Sequence, residues 1–122
     1  VEYVKLNNKQ LGAIGEKYAV NYLKRKNYKI LQLNFSCCYG EIDIIAKHKN
    51  SIVFVEVKTR RSTNFGKGME AVNFYKQQKL RKVALYYLNK NAPSFSNIRF
   101  DVIDILIQNE HEIKIEHIVN AF

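Results

Sequence analysis

The seven residues Ile-Val-Phe-Val-Glu-Val-Lys at 52–58 constrain the fold of this chain more than any other segment. Side chains alternate between the faces of a strand. Ile52, Phe54, Glu56 and Lys58 therefore share one face, and Val53, Val55 and Val57 share the other. Both faces begin apolar, which is the pattern of a central strand covered on both sides. The strand then ends in a carboxylate and an amine on one face. An unpaired charge inside a protein costs several kcal/mol or more. Glu56 and Lys58 are thus either partners in a buried ion pair or members of a working site.

The remaining elements follow from periodicity. From about Gln10 to Lys26, Leu11, Ile14, Tyr18 and Tyr22 form a helical stripe that Gly15, Ala19 and Leu23 widen. Asn27 suits the left-handed turn that ends a helix. A short strand is expected at Lys29–Asn34 and a turn near Cys38-Tyr39-Gly40. Glu41–Lys47 (EIDIIAK) and Ile52–Lys58 read as a hairpin across His48–Ser51. In its first arm, alternation sets Ile42, Ile44 and Ala46 on one face, with Glu41, Asp43 and Ile45 on the other. Thr59–Gly68 (TRRSTNFGKG) has the polar, basic, glycine-bearing composition of a mobile loop. A second helix is predicted over Met69–Asn89, a turn at Asn91–Asn97, and strands at Ile98–Gln108 and Glu112–Ile118. The order is αβββαββ, and the second helix crosses between strands that can then run parallel. This describes one α/β domain, residues 1–122, with a mixed sheet flanked by helices.

Charge is the first pointer to a partner. Twenty Lys+Arg against eleven Asp+Glu leave a net charge of +9. Such a balance suits a polyanion, whose condensed counterions are released as phosphates are neutralised. An anionic membrane would answer the same charge, but no basic amphipathic helix stands out. No stretch approaches the ~18 apolar residues of a membrane span. The first residues, VEYVKLNNKQ, lack the apolar core of a secretory signal, so a cytoplasmic protein is expected. Cys37 and Cys38 are adjacent and have no C-x-x-C partner or histidine at ligand spacing, so they read as plain thiols in or near a strand.

If the hairpin pairs in that register, Asp43 and Glu56 converge at one end of the sheet beside Lys58. Two carboxylates supply hard oxygen ligands for Mg²⁺, which keeps several waters of its own. A metal there polarises a phosphoryl oxygen, and a lysine beside it can orient or deprotonate the attacking water. A buried ion pair with a structural role alone would use the same residues. Glu16 lies at the rim of the apolar arc of the first helix and could reach the sheet edge, with Gly12 and Gly15 permitting close packing. It could equally be a solvated first-turn glutamate favoured by the helix dipole. Lys76 falls within the core stripe of Val72, Leu80, Val83, Ala84 and Tyr87, so it either snorkels or points into a polar pocket. Lys79, Arg81 and Lys82 lie at the edge of that stripe, where they could meet phosphates. Arg60 and Arg61 follow Lys58 and could clamp a substrate backbone. Asp101 and Asp104 fall on opposite faces of one strand, while His48, His111 and His117 stand isolated in sequence.

Several blocks together resemble a known family. They are GAIGEKYA (12–19), GEIDIIA (40–46), VFVEVKTR (53–60), AVNFYKQQK (71–79) and RFDVI (99–103). They are similar to the bacterial YraN-like family, itself resembling the PD-(D/E)xK nuclease superfamily, with its restriction-endonuclease-like core, near archaeal Holliday junction resolvases. The resemblance implies that Asp43 and Glu56 bind Mg²⁺ or Mn²⁺, that Lys58 is the catalytic lysine, and that Glu16 completes the acidic set. Lys76 and Gln77 match a family block on the second helix. The implied reaction is phosphodiester hydrolysis in DNA, branched or single-stranded. A catalytically weak nucleic-acid-binding module on the same fold is the alternative. Cutting junctions would call for a symmetric homodimer. Ile42 stands where the superfamily's proline would precede the aspartate, and Asn27 stands in place of an expected glycine.

Overall fold

The computed structural model describes residues 6–61, 72–109 and 111–122. Helix α1 (Asn8–Arg25) is followed by strands β1 (Lys29–Cys37), β2 (Gly40–His48) and β3 (Ser51–Arg61), helix α2 (Phe74–Asn91), and strands β4 (Asn97–Asn109) and β5 (Glu112–Ile118). The strands lie in the order β1-β2-β3-β4-β5. Among the described residues only the β3–β4 pair, with α2 between them in sequence, runs parallel. This is the mixed sheet, in the order αβββαββ, that periodicity predicts.

Each helix covers one face of the sheet. Leu11, Ala19 and Leu23 of α1 pack against Ile44, Val53, Val55 and Ile103. Leu80, Val83, Ala84 and Tyr87 of α2 pack against Ile42, Ile52, Phe54 and Phe100 on the opposite face. β3 is buried on both sides, as its sequence requires: Ile52, Phe54 and Glu56 on the α2 face, Val53 and Val55 on the α1 face. In α1 the deeply buried line is Leu11, Gly15, Ala19 and Leu23, while Ile14, Tyr18 and Tyr22 flank it. Gly15 is where α1 touches the sheet, since a Cβ there would collide with the Thr59 side chain. Gly12 does not share that role, because a Cβ there would meet nothing within 4 Å.

The helix ends are set by asparagine chemistry. Asn7 and Gln10 form a reciprocal capping box, with Gln10 N donating to Asn7 Oδ1 at 2.8 Å and Asn7 N donating to Gln10 Oε1 at 3.0 Å. Asn27 takes the left-handed conformation (φ 68°) just after α1. Asn73 caps α2, accepting from Lys76 N at 2.9 Å, so that helix begins at Phe74 rather than at Met69. Met69 lies outside the described residues.

Three other expectations are corrected. β3 runs three residues past Lys58, because Thr59, Arg60 and Arg61 pair with Ile105, Leu106 and Ile107 of β4. The rest of the expected loop lies outside the described residues. β1 continues to Cys37 instead of stopping at Asn34, and the facing of β2 changes partway along it. Ile42 packs with Ile45 on the α2 side, whereas Ile44 and Ala46 pack on the α1 side. Opposite this point in β1, Asn34 adopts a left-handed conformation (φ 52°). Asparagine tolerates that region better than most residues. The β2–β3 ladder ends at Ile44↔Val55, leaving Asp43 just beyond it. Cys37 and Cys38 are free, as expected, in β1 and the turn after it. Gly40 closes that turn at φ 138°, a region open to glycine.

Candidate active site

Asp43 leaves the ladder with its side chain in place of a main-chain acceptor. Val57 N donates to Asp43 Oδ2 at 2.8 Å, which holds the end of β2 against β3 through a carboxylate. Glu56, 8 % exposed, hydrogen-bonds Asp43. Lys76 Nζ reaches down from α2 to within 2.8 Å of Glu56 Oε2, and Lys58 Nζ stands 3.7 Å from the same oxygen. Asp43, Glu56, Lys58 and Lys76 line a cleft of about 370 Å³ on the α2 face, with Tyr39 and Lys79 on its wall.

The protonation pattern is asymmetric. Burial, followed by the hydrogen bond and charge of Glu56, pushes the Asp43 carboxyl up to about 8. For Glu56 burial acts in the same direction, but the hydrogen bonds from Asp43 and Lys76 outweigh it and hold its carboxyl below the usual range. Burial and the neighbouring Lys76 lower Lys58, whereas the contacts of Lys76 with Glu56 and Lys58 overcome burial and raise it. The resting arrangement is one proton held between two carboxyl groups, one firm ammonium on α2, and a second lysine whose ammonium is less firmly held than an ordinary one. Asp43 and Glu56 are the pair that could hold a divalent cation. Among the described residues, no group of three or more His, Cys, Asp or Glu side chains forms a ready metal cage.

The other expected site residues divide. Lys79 stands on the cleft wall with its Nζ 5.3 Å from the centre of the Tyr75 ring. Glu16 lies in a separate hollow with Leu33 and Asn34 and hydrogen-bonds Asn34. Burial raises its carboxyl, as do the charges of Glu41 and Glu56, so it lies within electrostatic reach of the pair without lining the cleft. Arg60, Arg61 and Gln77 are directed elsewhere. Arg60 grips Asp104 on the adjacent strand with two hydrogen bonds of 3.1 Å. Arg61 reaches the Leu6 carbonyl. Gln77 Nε2 donates to Val72 O at 3.1 Å. The partners of Arg60 and Arg61 lie 44 and 55 residues away, so adjacency to Lys58 in sequence could not reveal them. Tyr39, absent from the sequence-based site, sits in the β1–β2 turn at the cleft mouth.

A second polar cluster occupies the α1 face. Asp101, fully buried, accepts from Arg99 Nε and an Arg99 terminal nitrogen at 2.9 Å each and from Asn120 N at 3.0 Å. His117 Nε2 lies 2.7 Å from Asp101 Oδ2, and its Nδ1 lies 3.2 Å from the Tyr22 hydroxyl. Arg99 also donates to the Tyr28 hydroxyl at 2.6 Å, and His48 stacks on the Tyr28 ring at 4.0 Å. His117 and His48, isolated in sequence, are therefore knit into a network. Asp101 and Asp104 do lie on opposite faces, as alternation requires.

The fold and cleft together define a three-layer α/β domain consistent with the restriction-endonuclease-like fold, with paired carboxylates and two lysines at the end of its central strands. The chain belongs to the uncharacterised protein family UPF0102, the YraN-like family, whose model matches residues 15–105. It is 51 % identical over 120 residues to a UPF0102 protein of Caldanaerobacter subterraneus, covering 97 % of this chain and 98 % of that one. A Thermodesulfovibrio yellowstonii member is 53 % identical over 113 residues (93 % and 96 % covered), and one from Clostridioides difficile is 50 % identical over 117 (96 % and 100 %). No helix among the described residues is long and apolar enough to cross a membrane.

Proposed function

We propose that this chain is a Mg²⁺- or Mn²⁺-dependent endonuclease that hydrolyses phosphodiester bonds in DNA. The observation that carries the reading is the Asp43–Glu56 pair: two half- to fully buried carboxylates that must share a proton in an open, lysine-lined cleft. Both lysine contacts of the pair fall on Glu56, and a divalent cation would supply the positive charge that Asp43 lacks. Asp43 and Glu56 would hold the ion, which when bound polarises the scissile phosphate. Lys58 is suited to the proton transfer because burial and Lys76 depress its ammonium. Its amine accepts a proton from the attacking water at Nζ as the water oxygen bonds to phosphorus and the leaving oxygen departs, to be protonated from solvent. Lys76 fixes Glu56 and brings positive charge to the cleft.

One observation favours the second reading, a binding module with little turnover. The Lys76 ammonium already contacts Glu56 at 2.8 Å and could stand in for the cation. Cleavage of matched duplex, single-stranded, flap and four-way-junction DNA in Mg²⁺, Mn²⁺ or EDTA separates the two. Metal-dependent products that vanish in Asp43→Ala and Lys58→Ala support the nuclease, and junction cutting would further call for a homodimer. Equal traces of product from wild type and both variants would mean contamination and leave the module.

A further inference from the structure

The outer face of α2 repeats one pattern. Tyr75, Lys79, Lys82 and Tyr86 lie 4, 3 and 4 residues apart, which places them on a single helical stripe, and all four are exposed. Tyr75 is 70 % exposed, far more than a tyrosine retained for packing. Lys79 Nζ lies 5.3 Å from the Tyr75 ring centre, and Lys82 Nζ lies 5.9 Å from that of Tyr39. Among the described residues no carboxylate pairs with either lysine. α2 carries no acidic residue in its sequence, FYKQQKLRKVALYYLNKN. Tyr39 joins the stripe to the catalytic cleft, because it lines both that cleft and a shallow hollow of about 290 Å³ beside Lys82 and Tyr86.

Resting on the nuclease reading of the cleft, we propose that this stripe is a track for an unpaired DNA strand, which it leads past Tyr39 into the site. The lysines take the phosphates, and the tyrosine rings stack on bases. Stacking is open only to bases that are out of a duplex, so the rings select unpaired DNA where lysines alone would not. From Tyr75 to Tyr86 the track runs about 16 Å along the helix axis, the length of a few nucleotides. A second copy of this chain is the poorer occupant, because it would set two lysine-bearing faces of a +9 protein against each other.

The test is fluorescence anisotropy with a labelled single-stranded oligonucleotide and its matched duplex, in EDTA so that no strand is cut. Wild type is expected to bind the single strand at least tenfold more tightly. Tyr75→Leu and Tyr39→Leu, which keep apolar bulk but lose the ring, should each weaken single-strand binding about tenfold and leave duplex binding unchanged, and Tyr75→Phe should bind as wild type. Lys79→Gln and Lys82→Gln should weaken both ligands and lower the salt slope by about one each. Melting curves for each variant check that it is folded. Ring variants that bind single strands like wild type, or that lose both ligands equally, would overturn the track. So would a concentration-dependent dimer in sedimentation that Tyr75→Leu abolishes without any change in DNA binding. The outcomes stay separable: ring-dependent binding without metal-dependent cleavage leaves the track and removes the nuclease, and cleavage with ring-independent binding does the reverse.

Discussion

Two buried carboxylate clusters sit on opposite faces of the sheet, and they are built to opposite specifications. Asp101 has a partner on every side: a two-pronged arginine, a histidine and a main-chain N–H. Burial acts to raise its carboxyl, but these contacts outweigh it and hold it below the usual range. Asp43 has one N–H donor and a neighbouring glutamate, and it is pushed up to about 8. A saturated network stabilises and specifies a core. An undersaturated carboxyl such as Asp43 beside an open cleft is costly to the fold, and it leaves an acceptor free for something from outside. Burial of an acid is thus a poor guide to role, and the completeness of its hydrogen bonding is a better one.

Substitution should separate the clusters most sharply. Lys58→Ala and Asp43→Ala should lower metal-dependent cleavage by on the order of 10²–10⁴-fold while changing urea stability by about 1 kcal/mol or less. Asp101→Ala should do the reverse, because it strands Arg99 and His117. A loss of about 3–5 kcal/mol in urea unfolding is expected, with cleavage per folded molecule retained. If Asp43→Ala unfolds the chain and Asp101→Ala is silent, the two roles are misassigned.

The pH dependence of stability in metal-free buffer should carry opposite signs. Folded Asp43 keeps its proton between its ordinary value of 3.8 and about 8, so the stability from that protonation is full below 3.8 and is lost as pH rises through about 8. Asp101 is held below its ordinary value of 3.8, so its contribution is present above 3.8 and is lost as pH falls. Asp43→Asn should flatten the alkaline limb of the stability curve and Asp101→Asn the acid limb. The same asymmetry predicts that Mg²⁺ binding at pH 7 releases about one proton, seen as a calorimetric heat that depends on the ionisation enthalpy of the buffer. Asp43→Asn should remove that dependence, and a buffer-independent wild-type heat would count against a protonated Asp43. The smallest effect is expected for Tyr22→Phe. Removing a 3.2 Å contact at the rim of the Asp101 network should cost about 0.5–1.5 kcal/mol in the same unfolding assay.

Much of this arrangement is legible without coordinates because it rests on local rules. Alternation in IVFVEVK places Glu56 and Lys58 on one face of a doubly covered strand. The helical spacing of Val72, Leu80, Val83 and Tyr87 leaves Lys76 pointing inward, and its ammonium does meet Glu56. What misleads is adjacency. Arg60 follows Lys58 by two residues, yet its guanidinium is taken by Asp104 from a strand 44 positions away. His117 has no cysteine or histidine at metal spacing and still lies between Asp101 and Tyr22, which is 95 residues distant. The face reversal between Ile42 and Ile44 escapes period-2 counting, which assumes unbroken alternation, and it lies opposite an asparagine of β1 in the left-handed conformation. An asparagine amid apolar strand residues is the signal that could have exposed it.

The sequence by itself determined the element order, the central strand, the two helix stripes and the chemical types gathered near the end of that strand. Those follow from 3.6- and 2-residue periods, which need no knowledge of partners. Only the tertiary structure decided which charges are satisfied. It set Lys76 against Glu56, turned Arg60 to Asp104, closed the network around Asp101 and left Asp43 sharing a proton. The reason is physical: a charge's condition depends on the groups within a few ångströms of it, and those come from elements that only packing brings together.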